Sequence, residues 1–168
     1  MKGKGISMNH VIERKSSDVN RRGFLISSAS LVALAANVAR GETEDSWSSS
    51  ELIEPATLAK ELIPPTHSLQ IICVTFPILY RQKHIPGAQL AGPADKPEGL
   101  AKLKAAVAHL PRIEEIVIYC GCCPMDKCPN IRPAYRALKE TEFEHIRVLN
   151  LPTNFHTDWI AKGYPVDS

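Results

Sequence analysis

Apolar residues form short runs along the chain, and segments with helical spacing separate these runs. Residues 69–74 form a nearly continuous apolar run rich in β-branched side chains, and residues 113–120 and 146–150 also have the pattern of buried strands. Residues 97–110 place apolar side chains at helical spacing, and residues 131–138 have a helical pattern too. Because strands and helices alternate, the pattern predicts an α/β fold with an open parallel sheet flanked by helices.

A further helix is expected just before the first of these strands. Ser49 or Ser50 can cap its amino end, and Glu51 lies in its first turn. Pro55 comes early enough in this helix that its missing N–H does little harm, and the proline pair that starts at Pro64 ends the helix. We therefore expect folded sequence from about Ser50 onward.

The amino-terminal segment has the layout of an export signal. Residues 1–22 are polar and basic, and a mildly apolar run follows at residues 24–39. Arg21 and Arg22 are followed, after one residue, by a Phe-Leu pair, which resembles the bacterial twin-arginine signal. The apolar run contains serines and is shorter than the ~18–20 apolar residues that a membrane-spanning helix needs. We therefore expect export without a stable membrane span.

These features divide the chain into three parts. Residues 1–39 are predicted to be a twin-arginine-type signal peptide, residues 40–49 a polar, serine-rich linker, and residues 50–168 the folded domain. Trp47 in the linker is interpreted as a surface aromatic or a docking residue for this tail. The predicted location is the bacterial periplasm or another exported compartment, and the twin-arginine translocation machinery is a predicted partner.

Charge is unevenly distributed along the 168 residues, whose formal net charge is +2. Residues 1–39 hold six Lys and Arg against two acidic residues, so the rest of the chain holds fourteen against sixteen. The predicted domain is therefore slightly acidic, and it has no basic stripe with interleaved aromatic residues. This excludes a nucleic-acid binder of the basic type.

The strongest chemical signal is a cluster that holds four of the five cysteines within nine residues. Its members are Cys120, Cys122, Cys123 and Cys128. The cluster begins at the end of a predicted strand and leads through a loop to a predicted helix, the place where α/β sheets bind ligands. Loop N–H groups and the helix dipole lower a thiol pKa and hold an anion there. The position predicts a thiolate that is nucleophilic at neutral pH.

Two flanking motifs resemble those of rhodanese-like sulfurtransferase domains. Residues 84–88 read His-Ile-Pro-Gly-Ala, and Pro77 and Tyr80 precede them at the family's spacing. Residues 159–166 resemble the family's closing Trp-x-x-x-Gly-x-Pro-Val. The resemblance covers roughly residues 50–168 and implies the rhodanese-like fold.

The resemblance also implies an activity and no resident cofactor. Cys120 would take a sulfane sulfur from a small anionic donor such as thiosulfate, hold it as a persulfide and pass it to a thiophilic acceptor, possibly a periplasmic protein. Arg132 would bind the donor's anionic group and set the start of the helix. His84 would hold a structural turn, and Trp159 would lie in the core. The expected substrate-binding residues are Gly121, Cys122, Cys123 and Lys127.

The chain departs from the family pattern at three places, and one of these, the long loop after Cys120, leaves the nucleophile open. Eleven residues separate Cys120 from Arg132, where the family has a shorter loop. The strand that usually ends in Asp-Val-Arg reads Cys-Val-Thr at residues 73–75, and Asn-Phe replaces the paired glycines before the closing tryptophan. Cys128 and Cys123 therefore compete with Cys120 as the nucleophile. Cys73 is expected to be a buried structural thiol.

Other functions remain open for the cysteine cluster. Its four thiolates, on Cys120, Cys122, Cys123 and Cys128, would suit a soft ion, copper(I) better than zinc because the cluster is so compact. Cys122 or Cys123 could instead pair with Cys128 in thiol–disulfide chemistry, with Cys128 as a resolving residue. An inactive domain that serves as a binding module is the remaining alternative.

Overall fold

A computed structural model describes residues 46–63 and 69–168. The predicted signal peptide and the first residues of the predicted linker lie outside the described residues, so the export signal and the location stay predictions. Within the described ranges, no helix is both long and apolar enough to cross a bilayer.

In the part of the chain that the structure describes, five parallel strands form one sheet, which confirms the predicted α/β class. In spatial order they lie β1-β5-β4-β2-β3, so β4 is central. The strands are β1 (Leu52–Ile53), β2 (Leu69–Cys73), β3 (Gln89–Leu90), β4 (Glu115–Tyr119) and β5 (His145–Leu149).

Helices connect and flank the strands. They are α1 (Pro55–Glu61), α2 (Pro77–Gln82), α3 (Pro97–Val107), α4 (Ile131–Glu140) and α5 (Phe155–Asp158), with 3₁₀ turns at Met125–Lys127 and Ile160–Lys162. The first three helices each carry a proline in the first turn, where no N–H partner is lost. Helix α4 packs against β4 and β5, and so places its amino end beside the carboxyl end of the central strand.

The predicted start of the first helix is wrong in part. Leu52 and Ile53 form the edge strand β1, paired with β5, and the helix begins only at Pro55. Ile53 is buried in the core, and Glu54 is extended because proline disfavours a helical conformation in the residue before it. Sheet pairing and core burial therefore outweigh the local capping pattern.

The two motifs that flank the cluster are structural, as expected. His84 stacks on Tyr80 at 3.9 Å between ring centroids, and its backbone exchanges two hydrogen bonds with Asp167. The Ile85 N–H donates to the Tyr119 hydroxyl at 3.1 Å, which ties this turn to β4. Trp159 is fully buried, and its indole N–H donates to the Pro165 carbonyl at 2.8 Å. The first motif therefore contacts the carboxyl end of β4, and the second is anchored by its buried tryptophan.

The core around β4 makes a first prediction for a matched pair of substitutions. Ile118 on β4 is completely buried, whereas Ile113 is 69% exposed. We expect Ile118→Ala to lower the free energy of unfolding by about 2–5 kcal/mol, because it leaves a cavity in the core. Ile113→Ala should change it by less than about 0.5 kcal/mol. Urea unfolding measures both, and equal losses would contradict this placement of β4.

Candidate active site

Cys120 follows directly after β4 and lies at the carboxyl end of the sheet. Its side chain is buried, with 4% exposure, and lines a cavity of about 500 Å³. Cys73 and Thr75 at the end of β2 and Phe155 of α5 line the same cavity. The cavity thus occupies the position where parallel α/β sheets bind ligands.

The sulfur atoms of the cluster lie close together. The Cys122 Sγ lies 3.2 Å from that of Cys120, 3.2 Å from that of Cys123 and 4.0 Å from that of Cys128. The sulfurs of Cys120, Cys122 and Cys128 all lie within 4.8 Å of one another. Cys122 is therefore the sulfur that contacts the other three. All four are free thiols.

A tight turn at Gly121 brings the first two thiols together. Gly121 has a φ of 78°, in the left-handed region that glycine adopts readily. The Phe155 N–H donates to the Gly121 carbonyl at 3.1 Å, and a Cβ at Gly121 would approach the Phe155 Cβ to 2.5 Å. Only glycine therefore fits where the chain leaves β4 and enters the cluster.

Asn130 is a site residue that the sequence did not single out. Its completely buried side chain donates from Nδ2 to the Cys120 Sγ at 3.4 Å, while its Oδ1 accepts from the Asp95 N–H at 3.0 Å. It directly precedes α4, where an asparagine is usually interpreted as a cap. Here its side chain makes no capping bond and donates to the Cys120 sulfur instead.

Neighbouring thiols shape the charge state of Cys120. When Cys120 is a thiolate, the S–H groups of Cys122 and Cys128 donate to it, and this holds its pKa far below the ordinary value although burial acts in the opposite direction. For the same reason the pKa values of Cys122 and Cys128 are raised. The cluster thus favours one buried thiolate with two thiol donors.

Cys73 behaves differently, although it lines the same cavity. Its side chain is completely buried, and burial raises its pKa to about 12. It therefore stays a neutral thiol at physiological pH. This agrees with the expectation of a buried thiol.

The structure separates the predicted site residues into two groups. Cys120, Gly121 and Cys122 line the cavity, and Cys128 contacts Cys122 from outside the lining. Lys127 is exposed on the 3₁₀ turn. Arg132, Lys127 and Cys123 are not among the residues that line the cavity.

The Arg132 guanidinium lies over the Trp47 ring, 4.4 Å from its centroid. Trp47 in turn packs edge-on against Tyr135 at 5.1 Å between ring centroids. The arginine that the resemblance assigned to the donor's anionic group is therefore held against an aromatic ring beside α4.

Polar residues that the sequence did not assign to the site complete the cavity wall. Lys83 follows α2, and Asn154 and His156 lie at the start of α5. They come from segments that are distant in sequence from the cysteines, and no local motif marks them. Lys83 places a cationic side chain in the wall of the cavity.

Comparisons with known proteins agree with this architecture. No protein-family model and no curated protein matches the chain. Among solved structures, a rhodanese-like domain from Anabaena matches with a TM-score of 0.52 and 20% identity, over 70% of this chain and 79% of that one. The chain has the rhodanese-like fold. The fold expected from the two flanking motifs is therefore confirmed.

Two further structures with this fold carry a sulfurtransferase name. A thiosulfate sulfurtransferase from Pseudomonas aeruginosa has a TM-score of 0.52 and 23% identity, over 73% of this chain and 22% of that one. A single-domain sulfurtransferase from Saccharomyces cerevisiae has a TM-score of 0.52 and 14% identity, over 71% of this chain and 95% of that one. At these identities the likeness concerns the rhodanese-like fold.

The Gly121 turn makes a second prediction, with Gly87 as its control. Both glycines have a left-handed φ, but a Cβ at Gly87 would meet nothing within 4 Å. Alanine at either position should cost about 1–2 kcal/mol for the backbone conformation. Gly121→Ala should lose about 1–3 kcal/mol more, because its Cβ would overlap Phe155. Urea unfolding of the two variants measures the difference, and equal losses would refute the close approach.

Proposed function

We propose that this protein is a sulfurtransferase that carries a sulfane sulfur as a persulfide on Cys120. The observation that carries the proposal is the position of the Cys120 sulfur. It lies at the carboxyl end of the central strand, faces a cavity and accepts from the Asn130 amide. When Cys120 is a thiolate, the S–H groups of Cys122 and Cys128 donate to it as well. Such donors stabilise negative charge on sulfur in a site that excludes bulk water.

We propose the following reaction with thiosulfate. The Cys120 thiolate attacks the outer sulfur of the donor and forms a new S–S bond. The S–S bond of thiosulfate breaks, and sulfite leaves with the electron pair. The Asn130 amide and the Cys122 thiol then face the sulfur that carries the persulfide. The persulfide passes its outer sulfur to a thiophilic acceptor.

Binding of the anionic donor is the step in which the proposal departs from the family pattern. Arg132 and Lys127 are not among the residues that line the cavity, whereas Lys83 and His156 are. We therefore assign the attraction of the small sulfur-containing anion to Lys83, with His156 as a further residue of the cavity lining. The N–H groups of the Gly121 turn remain proposed donors to the bound sulfur.

The fold of two named sulfurtransferases supports the reaction class. The predicted export signal supports a place of action outside the cytoplasm, with a periplasmic acceptor as partner. We propose no resident cofactor for this reaction, because a thiolate suffices as the nucleophile.

Sulfite release tests the proposal. Reduced protein should release sulfite from thiosulfate, and Cys120→Ser should lower the rate by at least ~1,000-fold, as removal of a nucleophile does in other enzymes. Cys123→Ser is the matched control and should keep the rate, because Cys123 does not line the cavity. Loss of the rate only in Cys128→Ser would move the nucleophile, and an unchanged rate in Cys120→Ser would overturn the role of Cys120. Absence of sulfite release by wild type would indicate a non-catalytic module.

The convergence of three sulfurs favours a second candidate function. Cys120, Cys122 and Cys128 place their sulfurs within 4.8 Å of one another, close enough to share one ion. Three thiolates suit copper(I), whereas a structural zinc site usually has four ligands. Copper binding and sulfur transfer would exclude each other at any moment, because both use the Cys120 sulfur.

Competition for copper(I) against a colorimetric chelator tests the second candidate. A three-thiolate site should bind one equivalent of copper, and Cys122→Ser should lose it. Cys123→Ser should retain it, because the Cys123 sulfur lies outside the group of three. Equal binding by these two variants would refute a defined copper site.

A further inference from the structure

The Cys122 sulfur is placed to react with whatever Cys120 carries. It lies 3.2 Å from the Cys120 sulfur, and a disulfide bond is about 2.05 Å long, so bond formation needs a movement of little more than an ångström. Cys122 lines the cavity beside Cys120, whereas Cys123 and Cys128 do not. Among the three neighbouring thiols, Cys122 therefore combines the shortest distance to Cys120 with access to the cavity.

The backbone holds the thiols of Cys120 and Cys122 close together. Gly121 between them has a left-handed φ, and Phe155 fixes this conformation by a hydrogen bond and by close packing. Cys120 is anchored in addition by the buried Asn130 amide. The two sulfurs are thus held close to each other before any reaction.

We propose that Cys122 is the resolving thiol of this site, which makes the protein a producer of hydrosulfide that depends on a dithiol reductant. The proposal rests on the proposed function, because Cys120 must first carry a persulfide. The Cys122 sulfur attacks the inner sulfur, on Cys120, and the Cys120–Cys122 bond forms. The persulfide S–S bond breaks, and its outer sulfur leaves with the electron pair and the Cys122 proton as hydrosulfide.

A second partner must then restore the thiols. A dithiol reductant attacks the more accessible Cys122 sulfur, and Cys120 leaves as a thiolate that its hydrogen-bond donors stabilise. The reductant then closes its own disulfide and releases Cys122. Over the cycle, thiosulfate and a dithiol become sulfite, hydrosulfide and a disulfide, which balances atoms and electrons. A disulfide across a three-residue turn at a cavity belongs to the accessible, labile class that is suited to such cycling.

The test uses reduced, metal-free protein under anaerobic conditions, with thiosulfate and without any reductant. Wild type should lose the mass of two hydrogens, gain no sulfur and release a stoichiometric amount of hydrosulfide. Cys122→Ser should gain the mass of one sulfur atom and release no hydrosulfide. Cys123→Ser is the matched control and should behave as wild type. Protein without thiosulfate should keep its mass, which controls for air oxidation.

Peptide mapping separates Cys128 from the other possible partners of Cys120, and the Cys123→Ser control addresses Cys123. Trypsin cuts after Arg112 and Lys127, so Cys120, Cys122 and Cys123 fall in one peptide and Cys128 in the next. The expected disulfide stays within the peptide of residues 113–127. A cross-link between the two peptides would assign the resolving role to Cys128 and overturn the proposal.

The outcomes separate this inference from the proposed function. Sulfite release together with a sulfur that stays on wild type would retain the sulfurtransferase and overturn the resolving role of Cys122. No sulfite and no sulfur on any variant would refute both. If Cys122→Ser unfolds in urea more easily than wild type, Cys122→Ala replaces it, and retention of the added sulfur remains the expected result.

Discussion

The contact between Gly121 and Phe155 is the constraint on which the site depends. A buried cysteine directly follows the central strand, and the Cys122 sulfur lies 3.2 Å from its sulfur. The left-handed glycine between them allows this approach, and the Phe155 ring and N–H hold it. Phe155 itself packs near Tyr119 and Trp159, so the turn is coupled to the core. A change in this packing would move the reactive sulfur.

Negative charge on the Cys120 sulfur is stabilised by an unusual set of groups. The family resemblance assigned positive charge to Arg132, yet that side chain lies over an indole ring beside α4. The donors around the Cys120 sulfur are instead two thiols and the buried Asn130 amide. Such donors stabilise a thiolate without a fixed cation. A thiol donor, unlike an arginine, can itself react, and this links stabilisation of the thiolate to the resolving chemistry proposed for Cys122.

The sequence predicted the inner strands of the sheet better than its edge strands. The runs at residues 69–74, 113–120 and 146–150 contain β2, β4 and β5. Strands of this apolar kind are typical of a sheet that is covered on both faces. The two-residue strands β1 and β3 are too short to produce a pattern. Leu52 and Ile53 looked like the start of a helix until pairing with β5 decided otherwise. Sequence patterns report burial, whereas the pairing of an edge strand depends on which strand lies next to it in the fold.

By itself the sequence determined the α/β class, the motif turn at residues 84–88 and the cysteine cluster at the end of the central strand. Each of these is local, because spacing, β-branching and adjacent cysteines can be read within a short window. Only the tertiary structure decided which sulfurs meet, since one glycine turn and one aromatic ring from a distant segment set those distances. It also placed Asn130 on the reactive sulfur and Lys83 in the cavity wall. These residues come from elements far apart along the chain, and only folding brings them together.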